Sequence, residues 1–375
     1  MMASIKKRPD GRYRARYRDL AGKEHSRHFG LQREAQDWLN EVTSSVVTGT
    51  YVDPKRARAT VGTMAAVWLD SNPDWAASTR ARNSSVVKNY VLPKWGDVRL
   101  ADMDVEVVQR WIGELSASTI APRTVRKVAS VLSSIMDLAI TAGRAKVNPV
   151  KLAKLPKHPV TRRRYLTAAQ VETMATAAGD EADLVLTLAY CGLRVGELAA
   201  LRVRHVDMLR RRFRVEEAVT EVDGKLVWSA PKDHQRRSVP FPSFLADMLA
   251  VRLEGTSPDD LVFPSEWGKT LRVRNMRRYW FDRAAADAGV EGLTPHELRH
   301  TAASLAVSAG ANVLAVQRML GHDKPSTTLD VYSDLFDEDL DSLADRLDGM
   351  RSANLADFLR TTGEVVALPA EPKSL

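Results

Sequence analysis

The sequence predicts a multidomain chain, mainly α-helical with small β parts, and three observations carry that reading. Its 375 residues exceed one ordinary domain. Two stretches rich in Pro, Lys and Arg, Asp53 to Arg58 and Lys151 to Arg164, have the composition of linkers. Apolar residues at helical spacing fill most of what remains, and alternating β patterns are confined to two short regions. The boundaries that follow are a sheet-plus-helix body over 1–57, a four-helix body over 58–152, a mixed α/β body over 153–350 and a tail over 351–375.

The first body rests on Arg12-Tyr13-Arg14-Ala15-Arg16-Tyr17-Arg18, which alternates strictly. As a strand it puts four arginines on one face and Tyr13, Ala15 and Tyr17 on the other. A second strand near Ser26 to Phe29 pairs with it in a three-stranded sheet, and Leu31 to Leu39 reads as a helix that turns Ala35, Trp38 and Leu39 to the sheet. Four like charges on one strand repel unless an anion lies across them, so Arg12, Arg14, Arg16 and Arg18 are candidate DNA contacts.

In the second body, Met64, Val67, Trp68 and Leu69 mark one helix. Ser78-Thr79 caps a second, which Leu92-Pro93 ends. Val105 to Leu115 gives a third and Pro122 to Ala142 a fourth. The third body opens on a helix capped by Thr167. It continues through strands at Phe213 and Val215, at Val219, at Leu226 to Trp228 after an Asp223-Gly224 turn, and at Ser238 to Pro240, and returns to helices.

The formal charge of +8 is uneven: residues 1–60 carry 13 basic against 7 acidic side chains, and 333–350 carry 1 against 7. Basic bodies suit a polyanionic partner such as nucleic acid. The start at Met1 is basic without an apolar run, so a secretory signal is not expected, and no stretch reaches the roughly 18 apolar residues of a membrane helix. Cys191 is the sole cysteine, which rules out an internal disulfide and fits a reducing cytoplasm.

Five fragments of the third body share one chemistry: Gly192-Leu193-Arg194-Val195-Gly196-Glu197, Pro231-Lys232, His296-Glu297-Leu298-Arg299-His300-Thr301, Leu320-Gly321-His322 and Tyr332. Two arginines, a lysine and histidines supply donors and positive charge for a phosphate. No carboxylate cluster accompanies them to hold a metal. A phenol ordinarily ionises near pH 10, so it needs such cations to become a nucleophile toward a phosphodiester. The arginines suit the non-bridging oxygens, and Lys232 suits the departing oxygen as a proton donor. Glu197 is placed to orient Arg194, and His300 reads as a structural histidine. His296-Glu297-Leu298-Arg299-His300 also satisfies the zinc pattern H-E-x-x-H. Ala306 stands where the extended form needs a third histidine, and Arg299 would set a fixed cation beside the metal, so no metal and no other cofactor is expected.

Arg194 within Gly-Leu-Arg-x-Gly-Glu-Leu, His296-x-Leu-Arg299-His-Thr, Leu-Gly-His322 and Tyr332, with Lys232 on a β-hairpin, resemble the motifs of the tyrosine recombinase (phage integrase) family. The resemblance covers about 160–350 and extends to the layout before it: 1–57 is similar to arm-type DNA-binding domains and 58–152 to core-site-binding domains. It implies a tyrosine-recombinase catalytic domain that cuts and rejoins DNA through a covalent 3′-phosphotyrosine and a Holliday junction. His296 and His322 then serve phosphate and proton handling. The implied partners are double-stranded DNA at core and arm attachment sites, a homotetramer on that DNA, a DNA-bending host factor and a recombination directionality factor, in the bacterial cytoplasm and without a membrane. Ser333-Asp334-Leu335 follows Tyr332 where the family commonly has Thr-His. Beyond it Phe336, Leu340, Leu343, Leu347 and Met350 form one apolar stripe on an acidic helix, which suits docking on a neighbouring protomer. Alternatives are a resolvase of the same family, a type IB topoisomerase, a catalytically silent DNA-binding regulator and a metalloprotease.

Overall fold

The computed structural model describes residues 3–19, 22–47, 59–157, 164–231, 236–329, 332, 347–352 and 354–356. Lys232, residues 53–58, Phe336, Leu340, Leu343 and the tail from 357 lie outside the described residues. The chain divides into two compact units, Met1–Val160 and Thr161–Leu375.

In the first unit, β1 (Ala3–Lys7), β2 (Tyr13–Arg18) and β3 (Glu24–Phe29) form an antiparallel sheet in that order, with Ile5 and Arg27 opposite Ala15. Alternation places Ala15 and Tyr17 under α1 (Gln32–Val47), where they are buried with Ala35 and Leu39. The opposite face carries Arg14, Arg16 and, at the strand's last position, Arg18. The expected row of four arginines is modified in two ways. β2 begins at Tyr13, so Arg12 sits in the preceding turn, where its N–H donates to Asp10 (3.1 Å). Glu24 of β3 reaches both Arg14 (3.5 Å) and Arg16 (3.8 Å) and relieves part of their repulsion.

The helical body packs α2 (Val61–Asp70), α3 (Ala77–Val86), α4 (Leu92–Trp95), α5 (Val105–Ala117) and α6 (Pro122–Thr141) around Met64, Trp95, Trp111, Leu132 and Met136. Three expectations change. Val67 is 45% exposed, because the buried stripe of α2 runs through Val61, Met64, Ala65 and Trp68. Ser78 and Thr79 lie inside the first turn of α3, whose cap is Ala76. Pro93 does not end the helix: a π turn over Val87–Val91 lets the Leu92 N–H bond Val87, five residues back, and opens the ladder just before the residue that has no N–H. The expected linker from Lys151 is also anchored at its start. Gln109 exchanges hydrogen bonds with the backbone of Lys154 (2.7 and 3.2 Å), and Val150 just before the stretch is buried.

The second unit is built on α8 (Ala182–Cys191), buried along nearly its whole length between α7 (Ala168–Ala178) and α13 (Pro295–Ser308). α7 starts with the expected cap: Gln170 and Thr167 bond each other reciprocally. After the single turn of α9 (Val195–Leu198), β4 (Val206–Asp207), β5 (Arg212–Val215) and β8 (Arg237–Pro240) make one sheet in that order. β6 (Ala218–Val222) and β7 (Lys225–Ser229) form a separate hairpin. Its turn residues Asp223 and Gly224 both have positive φ, 48° and 76°, as a two-residue hairpin of native twist requires. α10 (Ser243–Leu253), α11 (Val273–Met276) and α12 (Asp282–Asp287) complete the outer layer, and α14 (Val313–Leu320) follows α13. Residues 347–352 are helical, with Leu347 and Met350 exposed. Among the described residues no helix is long and apolar enough to cross a membrane.

Candidate active site

The site forms where α8 ends, α13 begins and α14 stops. Gly192 closes α8 in a left-handed conformation, and Arg194 becomes the N-cap of α9. Glu197, one turn on, folds back: its carboxylate accepts the Arg194 backbone N–H (2.8 Å) and Arg194 Nη1 (2.8 Å). The expected orientation of Arg194 by Glu197 therefore has a concrete geometry. The turn can sit this close to the hairpin only because residue 196 is glycine; a Cβ there would lie 2.4 Å from the Val219 carbonyl oxygen.

α13 starts at Pro295 behind the cap Thr294. The Glu297 carboxylate accepts from the Thr294 N–H (2.7 Å) and hydroxyl (2.9 Å) and is thereby turned to its own helix end, away from any role as a base of the zinc pattern. Arg299 points inward and is only 2% exposed. Its Nη1 donates to the Gly192 carbonyl (2.6 Å) and its Nη2 to the Leu320 carbonyl, which ties three of the sequence motifs together. Burial, with the Arg194 charge beside it, pushes the Arg299 pKa down to about 9, so the group is still cationic at neutral pH.

His322 follows Gly321, which ends α14 in the left-handed region at φ 65°. Its Nδ1 is 2.9 Å from the hydroxyl of buried Thr328. Burial first, then the charges of Arg299, Arg194 and Arg237, push its pKa down to about 4. His296 is shifted down as well, by burial and by Arg299 and Arg194. Tyr332 is 1% exposed, packed with Ala303, Val307, Val316 and Leu320. Its ring stacks on that of His322 (centroids 6.4 Å, 9° between planes), and its hydroxyl shares a 2.7 Å hydrogen bond with His300 Nδ1. The His296 ring meets His300 edge-on at 4.9 Å.

The structure thus brings Arg194, Glu197, His296, Arg299, His300, His322 and Tyr332 into one cluster. His300, read from sequence as structural, touches the Tyr332 hydroxyl directly. Two participants were missed. Thr328 gives no sequence signal. Arg237 does: Val239 is buried on β8, and a period of two places Arg237 on the same inner face. Its guanidinium donates to both Glu197 carboxylate oxygens (2.9 and 2.6 Å) and its Nε to the Met319 carbonyl (3.2 Å). Burial works against the Glu197 charge, but Arg237 above all, with Arg194, brings its pKa down to about 2. Among the described residues no group of three or more His, Cys, Asp or Glu is placed to hold a metal ion.

Comparison with known proteins gives the family. The phage integrase family profile matches residues 164–339, and the phage integrase central domain profile matches 61–155. The tyrosine recombinase XerC of Corynebacterium efficiens is 31% identical over 243 residues, covering 61% of this chain and 73% of its own length. The chain belongs to the phage integrase family of tyrosine recombinases. This recombinase is also 27% identical over 332 residues to a Mycobacterium tuberculosis protein named as a prophage phiRv2 integrase, covering 85% of this chain and 88% of that one. In fold it is similar to the Tn1549 transposon integrase solved with circular intermediate DNA (TM-score 0.65, 19% identity, 73% of this chain and 95% of that one). It is likewise similar to a lambda integrase dimer bound to a core site (TM-score 0.58, 19% identity, 87% and 93%).

Proposed function

We propose that this recombinase is an integrase of a phage or mobile element that cuts and rejoins double-stranded DNA through a 3′-phosphotyrosine on Tyr332. The observation that carries the proposal is that His300 shares a hydrogen bond with the Tyr332 hydroxyl and His322 stacks on its ring, while Arg194 and Arg299 end on the carbonyls of Gly321 and Leu320 just before His322. Tyr332 Oη forms a bond to the scissile phosphorus as the bond from phosphorus to the 5′-oxygen breaks. The phenolic proton passes toward His300, and Lys232 supplies a proton to the departing 5′-oxygen. Arg194 and Arg299 neutralise the charge that gathers on the non-bridging oxygens; a guanidinium has five N–H groups, and Arg299 spends two on backbone carbonyls. His296 and His322, neutral in the free protein, serve as hydrogen-bonding groups that an incoming phosphate drives toward the cationic form. The covalent link stores the bond energy, so a second 5′-hydroxyl reverses the step and strands exchange through a Holliday junction without a cofactor.

In this reading residues 1–57 bind arm sites through Arg14 and Arg16, with Arg12 and Arg18 at the strand margins. Residues 58–152 grip the core site, and 153–350 carry the chemistry. The working form is a homotetramer on DNA in the bacterial cytoplasm, where a DNA-bending host factor and a directionality factor choose the outcome. The test uses DNA flanking the coding sequence, incubated with the protein in EDTA. A covalent adduct with wild type and none with Tyr332→Phe is the expected result. An adduct with both assigns the nucleophile elsewhere. Binding without an adduct in either, also on a nicked substrate, makes the protein a DNA-binding regulator.

A further inference from the structure

Three arginines from distant parts of the chain end on three consecutive carbonyls. Arg237 Nε donates to Met319, Arg299 Nη2 to Leu320 and Arg194 Nη2 to Gly321 (3.4 Å). These are the last carbonyls of α14 and of its cap, which a helix leaves without internal partners and where its dipole is negative. Arg194 and Arg299 are the phosphate clamp of the proposed reaction. Arg237 is held differently: both of its terminal nitrogens donate to Glu197, its Nε donates to Met319, and its side chain is 8% exposed.

We propose that Arg237 is a positioning residue that fixes Arg194 through Glu197 and sets it against the α14 terminus. Glu197 grips Arg194 at the backbone N–H and at Nη1, but a single-turn helix cannot by itself hold a carboxylate in one orientation. Arg237 closes the frame. Its planar fork clamps both carboxylate oxygens, and its Nε anchors the assembly to Met319. Gly321 belongs to the same device: a Cβ at that position would lie 2.7 Å from Arg237 Cδ and 2.9 Å from its Nε. The glycine lets the guanidinium lie flat along the loop that presents His322. Arg237 opens β8, shortly after the segment that holds Lys232, so the strand and the clamp are joined at a buried ion pair.

The proposal rests on the Tyr332 chemistry given above, and its test separates the two. Full-length wild type, Arg237→Ala and Arg237→Lys are compared on a nicked duplex carrying the crossover site, with either a phosphodiester or a methylphosphonate at the scissile position. Arg237→Ala is expected to slow adduct formation by about 10²-fold, the scale for losing one transition-state donor, with DNA affinity within about threefold of wild type. Arg237→Lys keeps the charge but not the fork and is expected to recover only part of the rate. On the methylphosphonate, which lacks one non-bridging charge, the deficit of both variants should shrink at least tenfold, because a misplaced Arg194 has less charge to neutralise. A purely structural role lowers both substrates by the same factor, and that result, or an Arg237→Ala rate within threefold of wild type, overturns the proposal. A wild type that forms no adduct defeats the integrase reading instead. Hydrogen–deuterium exchange of the free proteins then decides the positioning claim: faster exchange in 192–199 and 319–322 of Arg237→Lys supports it, and unchanged exchange overturns it. The lysine variant keeps this arm open if Arg237→Ala fails to fold.

Discussion

Replacing Glu197 by glutamine keeps the shape of the side chain and removes its charge. The carboxylate is 1% exposed and accepts from Arg194 and Arg237, so the amide would face two guanidiniums across sub-3 Å contacts that its NH2 cannot accept. The magnitude follows from the proton equilibrium. Burial opposes the charge, but the arginines take the carboxyl from its ordinary 4.5 to about 2. At about 1.4 kcal/mol per pH unit this is roughly 3 kcal/mol of preference for the ionised form. Mutational experience with buried pairs that lose one partner, about 3–5 kcal/mol, has the same scale. For a unit of this size the loss corresponds to a Tm lower by roughly 6–12 °C. The sign with pH is fixed: a carboxyl depressed in the folded state stabilises above its unfolded pKa, and that stability is lost as pH falls through the folded value. Urea unfolding of wild type and Glu197→Gln should therefore show a constant gap from pH 7 to about 5. The gap should narrow below about 4.5 and nearly vanish near pH 2. A gap under about 1 kcal/mol at pH 7, or one that stays constant down to pH 3, would falsify the claim that Glu197 is held as an anion by the two arginines.

Gly196→Ala drives a methyl to within 2.4 Å of the Val219 carbonyl oxygen, and its better helix propensity, under about 1 kcal/mol, does not offset an overpacking cost of about 1–3 kcal/mol. A variant melting at or above wild type would remove that reading. Cys191 is fully buried, and burial raises its thiol pKa far above the ordinary range, so it should resist a chromogenic disulfide reagent until denaturant is added. Rapid native labelling would place it at the surface instead. His322 is depressed by burial and by Arg299, Arg194 and Arg237, and therefore contributes stability that is present above about pH 6.5 and is lost as pH falls toward about 4. His322→Gln should flatten that part of the stability profile, and an unaltered profile would count against the assignment.

The readable parts of the sequence are those with local causes. Alternation over residues 13–18 gave the strand and its buried face, Thr167 announced a helix start, and Asp223-Gly224 announced a hairpin. The site motifs were readable because each pairs a charged group with the glycine or cap that shapes its turn. What stayed hidden depends on partners far along the chain. Arg237 meets Glu197 from 40 residues away, and no local pattern announces that partner. Pro93 signalled a stop, but packing of Trp95 against Trp111 keeps the helix going through a π turn. The basic stretch from Lys151 has the composition of a linker, yet just before it Asn148 Nδ2 reaches the Ser133 carbonyl (2.9 Å) and Asp137 (2.9 Å) on α6, and within it the Lys154 N–H donates to Gln109 (2.7 Å).

The three arginines at the end of α14 read main-chain oxygens, not side chains, and this divides the mutations the loop can absorb. Met319 can exchange its side chain while its carbonyl goes on receiving Arg237, whereas Leu320 also packs on Tyr332 and keeps its shape as well as its carbonyl. A family drifting over long times can therefore vary position 319 at little cost to the cluster. Insertion or deletion of one residue in α14 is a different event. It turns every downstream carbonyl by about 100° and moves it about 1.5 Å along the axis, so all three guanidiniums lose their acceptors together. Length, more than spelling, is what this segment must inherit unchanged.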